Sequence, residues 1–214
     1  MVITPSFQVG DVGSIPTIRS TQVPVVHSVS FAYKDIDTWH KVALGQEPGH
    51  IYSRNTNPTV RAFEDKVKVL EGAEAATSFS SGMAAISNTL GTFLRPGNRI
   101  VSIKDSYGGT NVIFNEFLPP LGIEVALCET GDYEQLEAEI AKGCTVLYLE
   151  TPTNPTIKIT DIKRLATKAH QVGALVVVDN TFATPINQLP LTLGADIVLH
   201  SASKYLGGHA DALG

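Results

Sequence analysis

The sequence predicts an α/β protein: a mostly parallel sheet covered by helices on both faces, preceded by an extended amino-terminal arm. Two observations carry this. Short, continuously apolar runs such as Leu175–Val178 read as strands buried on both sides, and amphipathic stretches at helical spacing separate them. A third sets the scale. The chain has 214 residues, 43% hydrophobic and 17% charged, enough to bury a sizeable core.

The elements follow in order. Pro5, Pro16, Pro24 and Pro48 punctuate the first fifty or so residues, and no sustained helical period is seen there. Regular structure is expected from Asn57-Pro58, a cap followed by a first-turn proline. Val60, Phe63, Val67 and Leu70 then recur on one face until Gly72 stops the helix. An apolar segment near 75–79 reads as a first strand, and a helix is expected over roughly 83–94. Pro96-Gly97 breaks that helix before a strand at 99–103, a helix near 110–118 and a strand at 123–128. Asp132 with Gln135 resembles a capping box, and Tyr133, Leu136 and Ile140 give that helix an apolar face. Strands at 145–149, 174–178 and 197–199 complete the sheet, with a helix over 161–172 closed by Gly173.

Charge and cysteine content narrow the function classes. Lys plus Arg total 16 against 21 for Asp plus Glu, a net charge of -5, which argues against a nucleic-acid partner. Cys128 and Cys144 fall in apolar runs and read as inert core thiols. The six histidines show no pair at metal-ligand spacing on one helix, so no metal site is expected. No run approaches ~18 apolar residues, and Met1–Gly10 lacks the basic-then-apolar pattern of a secretory signal. A location in the cytoplasm, away from membranes, is expected.

In open α/β sheets ligands bind beyond the carboxyl ends of the strands, so what each strand runs into matters. Those segments are Ser80-Ser81-Gly82, Ser106-Tyr107-Gly108-Gly109, Glu150 through Pro155, Asp179-Asn180-Thr181, and His200 through Lys204. Gly82 and Met83 open a helix, where free N–H groups suit an anion; an ordinary capped start is the alternative. Asp179 follows an apolar strand and is expected to be mostly desolvated, which is costly unless it meets a cation or several donors; an acid that only bonds the following backbone is the alternative. Lys204, just after Ser201 and Ser203 and past an apolar strand, would be a competent amine nucleophile if its pocket is partly dry. Tyr107 suits either core packing or a planar ligand. Arg54, beside Tyr52, suits a phosphate, a carboxylate or a surface ion pair.

Six ordered segments carry more together than singly: Tyr-Ser-Arg-Asn-Thr-Asn-Pro-Thr (52–59), Ser-Ser-Gly-Met-Ala-Ala-Ile (80–86), Tyr-Gly-Gly-Thr (107–110), Glu-Thr-Pro-Thr-Asn-Pro (150–155), Val-Asp-Asn-Thr-Phe-Ala-Thr-Pro (178–185) and His-Ser-Ala-Ser-Lys-Tyr-Leu-Gly-Gly-His-Ala-Asp (200–211). From about residue 17 onward the chain resembles the Cys/Met-metabolism family of pyridoxal-phosphate enzymes. That resemblance implies the large cofactor domain of the aspartate-aminotransferase-like fold over 57–214, with 1–56 as an arm contacting neighbouring subunits. It implies Lys204 as the Schiff-base lysine and proton carrier, Asp179 at the pyridine nitrogen, and Tyr107 stacked on the ring. Gly82, Met83, Ser201 and Ser203 would hold the phosphate, and Asn154 would bond near the ring oxygen. Tyr52 and Arg54 would serve the phosphate of an adjacent subunit. Lys204, Tyr107 and Tyr52 are thus the candidate catalytic residues, and a homotetramer of dimers with shared sites is implied.

Three departures from the family pattern are visible. Ser203 replaces the usual threonine and keeps its hydroxyl. Gly109 stands where methionine γ-lyases carry cysteine, which disfavours methionine cleavage. The family's smaller carboxy-terminal domain is not represented, so an arm plus a cofactor domain is expected here. The expected function is transsulfuration on a four-carbon amino acid with a leaving group at Cγ. γ-Replacement on an O-acylated homoserine by cysteine comes first, cystathionine γ-elimination second, then homoserine-ester sulfhydrylation or methionine cleavage. The non-enzymatic alternative is a module that binds pyridoxal phosphate or a partner without turnover.

Overall fold

A computed structural model of the chain describes residues 23–214. Residues 1–22 of the expected arm lie outside them. The chain divides into two compact units, Met1–Lys68 and Val69–Gly214.

The described part of the first unit is not wholly irregular. Helix α1 (Ile36–Ala43) forms where the sequence showed no helical period. It is only eight residues long, and Asp35 starts it by accepting from the Thr38 N–H at 2.7 Å. Val42 is its buried residue while Ile36 is exposed, too sparse a stripe to register as a period. An isolated bridge joins Ser30 to Tyr52. The Tyr33 hydroxyl both donates to the His50 carbonyl and accepts from its N–H, each at 3.0 Å.

Helix α2 (Pro58–Glu71) begins as expected, with Asn57 Oδ1 accepting from the Thr59 N–H at 2.8 Å. Its anticipated apolar face is not a core face: Val60, Phe63 and Leu70 are exposed, and the buried residue is Glu71.

The second unit contains the sheet. Residues 75–79 do not form a strand, correcting that expectation. Helix α3 (Gly82–Phe93) leads into β1 (Arg99–Ile103). Helix α4 (Gly108–Val112) runs on through a π turn at Ile113–Phe117 to β2 (Glu124–Cys128). Then come α5 (Tyr133–Ala141), β3 (Val146–Glu150), α6 (Ile162–Gln171) and β4 (Leu175–Asp179). The short α7 (Thr184–Asn187) precedes β5 (Ile197–Leu199). The strands lie in the order β2-β1-β3-β4-β5, all parallel.

Strand periodicity of two explains the two cores. Val101, Ile103, Leu147, Leu149, Val176 and Val178 face one side, where Leu136, Ile140, Leu165 and Ala169 of α5 and α6 cover them. Ile100, Val146, Tyr148, Val177 and Leu199 face the other, against Ile86 and Leu90 of α3 and Phe114 and Leu118. Covered on both sides, the central strands need no polar face and read as unbroken apolar runs. Strand order reverses between β1 and β3, the place where α/β sheets open a crevice at the carboxyl ends.

Candidate functional site

A cavity of about 650 Å³ opens at those carboxyl ends. It brings together Gly82, Met83, Tyr107, Asn154, Asp179, Ser201, Ser203 and Lys204. Tyr52 and Arg54 belong to the first unit, where the Arg54 guanidinium lies 4.8 Å from the centre of the Tyr52 ring.

The anion-binding candidates sit where α3 meets the end of β5. Ser81 caps α3 by accepting from the Ala84 N–H at 3.1 Å, and Gly82 and Met83 of the first turn line the cavity. A side chain at Gly82 would bring its Cβ within 2.6 Å of Ser201 Cβ, so glycine is required for this approach of backbone to serine. The Ser201 N–H is fixed by the Thr181 hydroxyl at 2.8 Å. The Ser203 hydroxyl is engaged with Gly214, accepting from its N–H at 2.9 Å.

Asp179 ends β4 at the cavity wall and is 7% exposed. Its Oδ1 accepts from the Thr181 N–H at 3.0 Å, and Oδ2 lies 3.4 Å from the Tyr148 hydroxyl. Burial pushes its carboxyl above the usual range, against the pull of those donors. Burial also drives the Tyr148 hydroxyl well above its ordinary value, keeping it protonated to donate. Such a carboxylate is suited to a cationic ring nitrogen, which would compensate its lost hydration.

Tyr107 is half-exposed rather than core. Its ring lies where a Gly109 Cβ would come within 2.9 Å of Tyr107 Cε1 and 2.7 Å of Met83 Sδ. Gly109 therefore has a packing reason of its own: any side chain there displaces the ring or the methionine. Lys204 is exposed at the cavity mouth, not desolvated as the sequence suggested. Among the described residues its amine has no hydrogen-bond or ion-pair partner.

Sequence reasoning gave no role of their own to Glu150 and His200, which line the cavity, or to Glu71 behind it. Glu150, at the end of β3, is 5% exposed and accepts from the backbone N–H groups of Tyr107 (2.7 Å) and Asn154 (3.1 Å). Burial raises its carboxyl to about 7. His200 is buried, with Nε2 2.5 Å from Glu71 Oε1. The same Glu71 oxygen accepts from Asn180 at 2.9 Å. Glu71 thus ties together the residue after Asp179 and the residue before Ser201. Pairings between positions so far apart leave no local sequence signal.

The cysteines are inert as expected: Cys128 is buried, and burial pushes its thiol up to about 11. No His/Cys/Asp/Glu group fit to hold a metal occurs among the described residues, and none of their helices is long and apolar enough to cross a membrane.

Comparison with known proteins places this geometry. The chain is 47% identical over 187 residues to a cystathionine γ-lyase of Bacillus subtilis, covering 87% of this chain and 49% of that protein. The crystal structure of cystathionine γ-synthase from Xanthomonas oryzae with aminoacrylate and cysteine matches with a TM-score of 0.81 and 35% identity, covering 89% of this chain and 47% of that one. A Campylobacter jejuni structure described as an O-acetylhomoserine (thiol)-lyase, with N'-pyridoxyl-lysine-5'-monophosphate, matches with a TM-score of 0.84 and 31% identity, covering 91% of this chain and 48% of that one. The chain spans about half the length of the curated relatives it matches. Its fold is that of the large domain of aspartate-aminotransferase-like enzymes. The match to the family model extends over residues 9–214, and with it the chain belongs to the Cys/Met metabolism PLP-dependent enzymes.

Proposed function

We propose that this chain forms the cofactor-binding part of a transsulfuration enzyme acting at Cγ of a four-carbon amino acid. One observation carries the reading: a buried acid, a helix start closed against serine and an exposed lysine converge on one cavity. Gly82, Met83, Ser201 and Ser203 hold the phosphate of pyridoxal phosphate; Asp179 faces the ring nitrogen, Tyr107 covers the ring, and Asn154 bonds near the ring oxygen. The Lys204 amine anchors the cofactor and then takes and returns protons on the substrate carbons, beginning at Cα. When bound, the cofactor supplies an electron sink for charge developing at those carbons. Tyr52 and Arg54 reach the phosphate of a neighbouring subunit in a homotetramer of paired protomers.

The first reaction proposed is γ-replacement: the ester oxygen leaves Cγ of an O-acylated homoserine and the sulfur of cysteine takes its place, giving cystathionine. The likeness to the Bacillus cystathionine γ-lyase favours a second reading, γ-elimination of cystathionine with one water to cysteine, 2-oxobutanoate and ammonia. Product analysis separates them. O-Succinylhomoserine with cysteine should yield cystathionine; cystathionine cleavage without any condensation product would reject the first reading. Cofactor attachment is tested on the purified chain. Borohydride reduction and peptide mapping should label Lys204, and Lys204→Ala should lose the label and the visible absorbance. A colourless protein unchanged by added pyridoxal phosphate would reject the cofactor reading and leave a module without turnover.

A further inference from the structure

Tyr107 and Asn154 reach the cavity from different loops, one after β1 and the other after β3, on either side of the point where strand order reverses. Neither side chain is buried. Tyr107 is 44% exposed and precedes α4 without a side-chain cap bond. Where each side chain stands therefore depends on where its backbone is held. In both cases the backbone N–H is held by Glu150, Tyr107 on Oε2 at 2.7 Å and Asn154 on Oε1 at 3.1 Å. Glu150 is itself fixed by a regular element: its Cα is the register partner of Asp179 in the β3–β4 pair, and its side chain is buried.

We propose that Glu150 is a positioning residue that sets where the Tyr107 ring and the Asn154 amide stand in the cavity, an inference resting on the cofactor reading above. A carboxylate is the one side chain with two equivalent acceptors on a single short stem, so it can serve two N–H groups from two loops at once. A glutamine of the same shape offers one oxygen and one amino group. It keeps one loop and turns a donor toward the other.

Glu150→Gln, Glu150→Asp and Tyr107→Ala, alone and combined, are compared for pyridoxal-phosphate dissociation constant and for visible circular dichroism of the bound cofactor. Amide exchange is followed in the cofactor-free protein. Glu150→Gln should weaken cofactor binding about tenfold and reduce the dichroic signal, and at least one of the Tyr107 and Asn154 amides should exchange faster. The affinity loss should shrink when Tyr107 is already alanine, because the substitution acts through that ring. If Glu150→Gln fails to fold, Glu150→Asp, with the charge kept and the reach shortened, is read by the same three measurements. Unchanged affinity, dichroism and amide protection, or an equal loss in the Tyr107→Ala background, overturns the proposal. Wild-type protein that binds no cofactor overturns the functional reading instead.

Discussion

At Gly82 the site tolerates no side chain, because the nearest atoms are the Cα and side chain of Ser201 rather than a flexible tip. Gly82→Ala should destabilise the chain by about 1–3 kcal/mol and weaken pyridoxal-phosphate binding. Gly108→Ala, where a Cβ meets nothing within 4 Å, should do neither; urea unfolding and cofactor titration of the pair check this. Glu150 gives a pH dependence. Burial raises its carboxyl from the ordinary 4.5 to about 7, so between those values the folded state holds more proton than the unfolded one. Stability of the cofactor-free protein should then fall as pH rises through that window, by on the order of 3 kcal/mol, and flatten above it. Glu150→Gln should lose this dependence. Urea midpoints between pH 5 and pH 8 measure it, and a slope that persists in the glutamine variant would assign it elsewhere. The residues legible in the sequence were those whose chemistry is local, a glycine at a helix start or an acid at a strand end. Glu150 also ends a strand, but its bond to Tyr107 spans 43 residues, and Glu71 meets His200 and Asn180 across 129 and 109 residues, so these roles were not legible.

Helices and strands were readable in proportion to how much of their stabilisation is local. Helix α6 is the clearest. Asp161 caps it, accepting from the Arg164 N–H at 2.9 Å, and Ile162, Leu165, Ala166 and Ala169 make one buried stripe. Asp161→Ala should cost about 1 kcal/mol and Leu165→Ala about 2–5 kcal/mol in urea unfolding, because the first loses one exposed bond and the second opens a cavity under the sheet. A larger effect from the cap than from the core would contradict this account. Helix α2 shows the opposite limit. Its period of Val60, Phe63, Val67 and Leu70 gave the helix correctly but not which face is buried, because what covers a face is a tertiary matter. The apolar segment at 75–79 likewise has strand composition without a neighbouring strand to pair with.

On the scale of the molecule, an all-parallel sheet gathers chemistry from sequence positions far apart. Asp179 and His200 follow from strands that pair in register, and Glu71 links the segments after both. The network continues from Asn180 to Gln188 and on to the Thr151 carbonyl, so the ends of β3, β4 and β5 are joined by side chains as well as by their ladders. Fold class was legible because buried parallel strands and covering helices have distinct compositions. Reaction type was not, because the chain matches a lyase and a synthase over nearly the same residues.

The pairing of Glu150 with Asp179 makes the two strands a counting device. Removing or adding one residue inside β3 would turn every side chain of its carboxyl half to the opposite face. Leu149 or Thr151 would then stand beside Asp179, and both loop anchors would be gone. Length is therefore forbidden to drift within β3 and β4. For anyone redesigning this scaffold, substrate pockets belong in the connections, and the strands must be kept to the residue.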